Sequence, residues 1–425
     1  MPETGVVIQN SDGSIQEVGA ADILVGIPTY NNADTIRPLM RAAQNGAVQF
    51  SSYKAVVMQA DGGSVDSTVQ SARDALGNWP NLIQVSYPLY PVHRLAVSSQ
   101  SIPGRDSAFQ TIFSTAERLG VQACCIIEPD IKTVTPDWIG SLVQPVLESG
   151  FDFVAPRYLR HKYEGILTNG ILYPMVRALF GKQIRQPMGS DFGFSGAFIR
   201  HCVSDKNWNR EIERYAVDLR TTIEAILSGF KLCQALLGPR PVKRDQLPDL
   251  STILMETVGS LFGQVELTAE HWQRVHGSET VPAFGLRFDS EPDDSAIDVR
   301  PMIEKFRLGF VNLQDIWGLI LPPATLLELK RMSRQTDESF RFPDELWVRA
   351  IYDFAVAYRL RTIGRDHLMG ALTPLYLAWV ASFILSVSGL RPAEVPARVE
   401  RLCKTYEAEK PYLISRWRWP DRFMP

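Results

Sequence analysis

The sequence predicts an α/β protein: a mostly parallel sheet with helices on both faces, followed by a helical C-terminal region. Three observations predict it. Short apolar runs alternate with helix-period stretches of about 10–15 residues through the first half of the chain, the pattern of βαβ units. Those runs are apolar at nearly every position, as strands covered on both faces must be. Beyond about residue 240 the strand signals stop and helical spacing takes over. The chain has 425 residues, more than the ~250–300 at which a single core stops growing. The expected division is an arm over 1–20, a sheet domain over 21–244 and a mainly α-helical region over 245–425.

The elements follow in order. Residues 23–30 form an apolar run ending in Pro28-Thr29-Tyr30-Asn31-Asn32. Ile36, Leu39, Met40 and Ala43 recur at helical spacing, and Gly46 stands where that helix is expected to stop. A second strand covers 55–60 and ends at Asp61-Gly62-Gly63-Ser64. A helix is expected over 65–76, a strand over 83–87, a helix over 107–119 and a buried strand over 124–128. Thr135-Pro136-Asp137 opens a helix with a capping hydroxyl, a proline at the first position and an early carboxylate. A strand over 151–155 follows. Pro239, Pro241 and Pro248 mark a linker. Downstream, 326–332 and 345–360 read as helices, and the acidic run 289–298 reads as a solvated loop.

Composition excludes several classes. The net charge is −3 and the sequence pI about 6.1, so no basic field argues for nucleic acid. Cys124, Cys125, Cys202, Cys233 and Cys403 form no C-x-x-C pair, which supports neither a zinc ribbon nor a disulfide scaffold. The N-terminus is polar, without an apolar signal core, and a cytoplasmic location is expected. Residues 368–390 carry no charge and are flanked by Arg365 and Arg391. That length suffices for a bilayer span, but its Gly, Pro and Ser content favours a buried helix or helix pair, and no membrane partner is expected. Oligomeric state is open, with a two-fold homodimer the form that helical extensions favour.

In open α/β sheets, ligands sit outside the carboxyl ends of the strands. Three polar clusters fall at such ends: 28–32, 61–64 and Glu128-Pro129-Asp130. No G-x-G-x-x-G follows the first strand and no G-x-x-x-x-G-K-[ST] exists, which excludes the usual dinucleotide and P-loop sites.

The three clusters resemble those of nucleotide-sugar glycosyltransferases of the GT-A fold, and that resemblance implies a GT-A, Rossmann-like sheet domain. Pro28-Thr29-Tyr30-Asn31-Asn32 is similar to the P-x-x-N turn of that fold. Asp61-Gly62-Gly63-Ser64-Val65-Asp66 is similar to D-G-S-x-D with one inserted glycine, and Glu128-Pro129-Asp130 stands where the D-x-D motif stands. Carboxylates at i and i+2 can hold a Mg²⁺ or Mn²⁺ that bridges diphosphate oxygens. The closer resemblance is to a retaining group, the mannosylglycerate, glucosylglycerate and glucosyl-3-phosphoglycerate synthases. It covers about residues 22–265, and more weakly to 385. Residues 102–108, IPGRDSA, resemble that group's G-K-G loop, with Arg105 at the lysine position. Residues 185–191, RQPMGSD, resemble its Q-P-[LIM]-x-G-[ED] loop, and 215–218, YAVD, its G-[VI]-[DE] segment.

The resemblance implies a hexosyltransferase that moves glucose or mannose from a nucleoside diphosphate sugar to a small hydroxy acid such as glycerate, with retention. The alternatives are an inverting transferase acting on a polysaccharide or lipid, and a nucleotide-sugar-binding protein without transfer activity. The implied donor site is Pro28, Tyr30, Asn32, Asp61, Gly62, Ser64, Gly104, Arg105, Asp130, Gly189 and Lys243. The implied catalytic carboxylates are Asp191 and Asp218, and the implied metal ligands Glu128 and Asp130. Arg157, Arg160, Lys162, Thr168 and Asn169 are implied for the small anionic acceptor, as cations suit a carboxylate or phosphate. Two departures bear on the metal. Glu128 replaces the first aspartate, and Gly238-Pro239-Arg240-Pro241-Val242-Lys243-Arg244 offers no histidine where the group has its third ligand. The resemblance still implies a Mg²⁺ or Mn²⁺ cofactor, and two consequences of the departures stay open: Lys243 or Arg244 supplies cationic charge in place of the metal, or nucleotide sugars bind poorly and transfer is lost. Asp61 as a turn cap and Asp218 as a helix-start residue remain open readings.

Overall fold

The computed structural model describes residues 18–87, 89, 102, 104–130, 133–205, 217–240, 250–285 and 297–420. The chain forms two compact units, Met1–Leu159 with Met188–Leu247 and Val281–Phe288, and Arg160–Pro187 with Pro248–Thr280 and Asp289–Pro425. The division is thus not a single cut near residue 244. The segment Arg160–Pro187 goes with the helices, and Val281–Phe288 returns to the sheet.

The sheet unit alternates β1 (Ile23–Thr29), α1 (Ile36–Val48), β2 (Ala55–Asp61), α2 (Thr68–Leu76), β3 (Leu82–Ser86), α3 (Arg105–Leu119), β4 (Ala123–Ile126), α4 (Pro136–Ser149) and β5 (Phe153–Leu159). Then come β6 (Phe192–Ser195), α5 (Gly196–Ser204), α6 (Val217–Leu227), β7 (Leu232–Pro239) and β8 (Ala283–Phe284). The spatial order is β8-β7-β5-β6-β4-β1-β2-β3. All neighbours are parallel except β6, which runs antiparallel to both β4 and β5. Four residues, Phe-Gly-Phe-Ser, make this strand. Its sequence is too short, with a glycine at its second position, to be read as one.

Side chains alternate across the sheet. Ile23, Val25 and Ile27 of β1 join Ile36, Leu39 and Met40 of α1 and Ile139, Leu142 and Val143 of α4 in one core layer. On the other face Phe109 and Phe113 of α3 pack on Phe194, which also stacks on Phe198 of α5 with centroids 5.6 Å apart. Gly46 does not end α1, which continues to Val48. Its role is close packing, since a Cβ there would lie 2.6 Å from Ile139 of α4. Gly193 in β6 is tighter still, because a Cβ would lie 2.1 Å from the Leu142 carbonyl oxygen. Backbone cannot yield as a flexible side chain does. Gly193→Ala is therefore expected to cost at least the ~1–3 kcal/mol typical of overpacking, read as a lowered urea midpoint.

The helical unit contains helix Tyr173–Phe180, helix Ser260–Leu267 and α7 (Arg300–Gly318), α8 (Pro323–Met332), α9 (Asp344–Leu360), α10 (Arg365–Val387), α11 (Val395–Ala408) and α12 (Lys410–Arg418). The uncharged stretch is one continuous helix, α10. It is the one helix among the described residues long and apolar enough to cross a membrane, and 72% of its apolar window is buried within the protein. Trp379 of α10 stacks on Trp347 of α9 at 5.2 Å. Gly170, whose carbonyl accepts from Trp347 Nε1 at 3.1 Å and from the Tyr406 hydroxyl at 3.0 Å, leaves the space that Trp379 fills. Arg177 forks to Glu400 and Glu407 of α11 at 2.6 and 2.9 Å.

Candidate functional site

Parallel register assembles the site. Thr29 pairs with Asp61 across β1 and β2, and Gly26 pairs with Ile126 across β1 and β4. The three polar clusters therefore emerge at one edge of the sheet. Because β6 is antiparallel, the residues just before it, Ser190 and Asp191, arrive at the same edge.

The first two clusters lock together. Asp61 accepts from the backbone of Gly63 at 2.9 Å and Ser64 at 2.8 Å, from Ser64 Oγ at 2.6 Å and from Thr29 Oγ1 at 2.8 Å. Four donors occupy the roughly four lone-pair sites of a carboxylate. Asp61 thus caps its own turn, the structural one of its two readings. Gly62 leaves room for the buried Tyr87, whose hydroxyl would lie 2.5 Å from a Cβ. Asn31 adopts φ 53°, which asparagine tolerates; its backbone N–H donates to Ser64 Oγ at 2.9 Å. Pro28 is buried in β1, and Tyr30 follows half-buried. Asn32 joins the third cluster, donating from Nδ2 to Asp130 Oδ1 at 3.0 Å.

Arg105, the first residue of α3, is the hub. Gly104 precedes it at φ 62°, a left-handed conformation that suits glycine. The guanidinium donates from Nε to both Asp218 oxygens at 3.2 and 3.0 Å, and from Nη2 to Asp218 Oδ1 at 3.1 Å. Nη1 donates to Glu128 Oε2 at 2.6 Å, and Nη2 to the Ser190 carbonyl at 3.0 Å. A cation at a helix N-terminus is unfavourable by itself. The carboxylates reverse that balance: burial works against the charge, but Asp218 and Glu128 hold the Arg105 pKa above its ordinary value.

Asp191 is wholly buried. It accepts from the Glu128 backbone N–H at 2.8 Å and from the Tyr158 hydroxyl. Both oxygens are committed inside the protein, so Asp191 fixes the peptide of Glu128 and does not present a carboxylate to a ligand. Asp218, at the start of α6, is 8% exposed and held by Arg105. Gly189 is buried beside Ser190. Arg240, directly after β7, donates to Ser190 Oγ at 3.1 Å and lies over the Tyr158 ring at 4.8 Å. Sequence reasoning missed Arg240, Tyr158 and Ser190. The signal for Arg240 was its place at a strand end, where a histidine was sought and more distant cations were chosen instead. Lys243 lies outside the described residues.

Two guanidiniums thus face three buried carboxylates. Burial pushes Glu128 up to about 7; Arg105 and Arg240 pull it down, and Asp191 and Asp218 push it up. Burial also raises Asp191 and Asp218. Between its ordinary 4.5 and about 7, Glu128 keeps in the fold a proton that the unfolded chain has lost. Its contribution is present below 4.5 and fades as pH rises through about 7. Glu128→Gln is expected to flatten the pH profile of stability over that window, measured as urea midpoints in steps from pH 4.5 to 8.

The residues that the resemblance implies for an acceptor divide between the units. Arg157 is exposed on β5 of the sheet unit, while Arg160, Lys162, Thr168 and Asn169 belong to the helical unit. Within that unit Lys162 is buried and donates to the Ser388 carbonyl at 3.2 Å, and Asn169 accepts from Arg185 at 3.1 Å. Thr168 and Asn169 open the short helical segment Thr168–Leu172.

The residues present do not fit a Mg²⁺ or Mn²⁺ ion. Glu128 is bound by Arg105 and Asp130 by Asn32. No group of three His, Cys, Asp or Glu side chains among the described residues is placed to hold a metal.

No protein-family model matches the chain, and no curated protein matches it. Among solved structures it is similar to glucosyl-3-phosphoglycerate synthase from Mycobacterium tuberculosis. With Mn²⁺, UDP and glucosyl-3-phosphoglycerate bound, that enzyme aligns at 16% identity and a TM-score of 0.41 over 59% of this chain and 82% of that one. With phosphoglyceric acid the values are 16% and 0.41, over 62% and 85%. With Mn²⁺, UDP-glucose and phosphoglyceric acid they are 18% and 0.39, over 57% and 83%.

Proposed function

We propose that this chain is a GT-A glycosyltransferase. It binds a nucleoside diphosphate sugar at the carboxyl edge of β1, β2 and β4 and moves glucose or mannose to a small hydroxy acid such as glycerate or its phosphate, with retention. The observation that carries the reading is the convergence of residues 28–32, 61–64 and 128–130 with Arg105 at that one edge. Their order along the chain is the order of the donor-site motifs in the retaining synthases. The turn over 28–32 and Ser64 line the donor, with Asp61 holding the turn in shape. Arg105 and Arg240 supply positive charge where the diphosphate departs. As the bond from the anomeric carbon to the diphosphate oxygen breaks, the acceptor oxygen bonds to that carbon on the same face, and its proton passes to the departing diphosphate oxygen. Asp218, held by Arg105 but with a side chain 11% exposed where Asp191 is wholly buried, is the carboxylate assigned to the transferred sugar, and Asp191 acts through the peptide of Glu128.

A second reading, binding without transfer, is favoured by one observation: at least four of the five Arg105 N–H groups are committed inside the protein. A thermal-shift titration with UDP, GDP, UDP-glucose and GDP-mannose tests donor binding. A ligand at ~100 times its Kd stabilises by about 2.7 kcal/mol. Stabilisation by one nucleotide sugar, followed by transfer to glycerate or phosphoglycerate with the donor's anomeric configuration, is the expected result. Tight binding without turnover favours the second reading, and stabilisation by none of the four refutes both.

A further inference from the structure

We propose that Arg105 occupies the place of a divalent cation in this site, so that donor binding here is independent of metal. The inference rests on the donor-site reading above for where the diphosphate lies, but its geometry stands alone. A hard divalent cation is held by several carboxylate oxygens freed for it. Here those oxygens surround a guanidinium. Glu128 Oε2 lies 2.6 Å from Nη1, both oxygens of Asp218 lie 3.0–3.2 Å from Nε, and Asp218 Oδ1 lies 3.1 Å from Nη2. The carboxylates come from the end of β4 and the start of α6, so Arg105 ties together two elements as a bridging ion does. Asp130, the other half of the Glu-Pro-Asp motif, is turned to Asn32.

Arg240 completes the substitution. It stands directly after β7, and its guanidinium is positioned by Ser190 Oγ and the Tyr158 ring. A planar fork cannot reproduce octahedral coordination, but a guanidinium keeps its charge at every physiological pH, and that charge acts on an oxyanion even where its N–H groups are bound within the protein. Two such groups bring the charge of one divalent ion without a free ligand set to bind it.

The test is a Mn²⁺ titration of the full chain, followed by electron paramagnetic resonance of the free aqua ion. The wild type is expected to bind no stoichiometric Mn²⁺. Arg105→Ala frees Glu128 and Asp218 and is expected to gain one equivalent of bound Mn²⁺, a gain removed in Arg105→Ala/Glu128→Gln. Arg105→Gln serves if the alanine variant does not fold, as judged by circular dichroism. One equivalent of Mn²⁺ on the wild type, lost in Glu128→Gln, overturns the proposal. So does a folded Arg105 variant that gains no Mn²⁺. Neither readout needs a nucleotide or turnover, so failure of the glycosyltransferase reading, seen as no stabilisation by any nucleotide sugar, is a separate result.

Discussion

Arg416→Met is expected to destabilise the helical unit by about 3–5 kcal/mol, the usual cost of leaving one partner of a buried ion pair alone. Arg416 of α12 donates from Nε to Asp353 Oδ1 of α9 at 2.8 Å, and the two side chains are 3% and 0% exposed. The Tyr412 hydroxyl bonds the same carboxylate, at 2.9 Å from Oδ1 and 2.8 Å from Oδ2. Even so, burial pushes Asp353 up to about 6, against the pull of Arg416 and Tyr412. A raised carboxylate contributes stability below its ordinary 3.8 and loses it as pH rises through about 6. Without Arg416 that window moves upward, so the deficit of the variant shrinks at low pH as Asp353 takes a proton. Urea unfolding at pH 5 and pH 8 measures this. The double variant Asp353→Leu/Arg416→Met is expected to recover most of the loss, because an apolar pair of similar volume needs no countercharge. A single-variant cost below about 1 kcal/mol at pH 8 would show that the pair is solvated.

Asp191→Ala is expected to impair both folding and turnover, and Asp191→Asn chiefly turnover. Alanine orphans two buried donors, the Glu128 backbone N–H and the Tyr158 hydroxyl. Each orphan costs ~1–3 kcal/mol, offset in part by relief of repulsion among Asp191, Glu128 and Asp218. Asparagine keeps one carbonyl oxygen for the peptide N–H, and the Tyr158 hydroxyl can accept from its amide. It removes a charge that acts on Arg240. If Asp191 works by holding the peptide, Asp191→Asn lowers kcat modestly with KM for the donor unchanged. A fall of about 10²–10³ in kcat, the size of a lost transition-state contact, would instead require Asp191 to reach the substrate.

Much of the site was legible because β1, β2 and β4 are apolar runs that stop abruptly at polar residues, and parallel pairing brings such stops together. The pairing of Arg105 was not legible. Its partners Glu128 and Asp218 lie 23 and 113 residues away, and only the strand order makes them neighbours. β6 was hidden because four residues with a glycine give almost no alternation to read. Gly46 was read as a stop because glycine does end helices, yet here the pressure of α4 on α1 demands it inside one. Asp61 shows the opposite case: Asp-Gly is turn chemistry, and the turn uses the whole carboxylate.

The antiparallel β6 also bears on how the protein is made. It sits between β4 and β5, yet it leaves the ribosome after both, with Arg160–Pro187 emerging first. Until it arrives, β4 and β5 carry inward-facing edges with unpaired backbone, the kind of surface that recruits strands from other chains. A nascent chain shorter than about 195 residues therefore cannot close its sheet. A fragment cut near residue 244 would close it but strand helix Tyr173–Phe180 without α11, leaving Arg177 with neither Glu400 nor Glu407. Recombinant production has to treat the two interleaved units as one translational product.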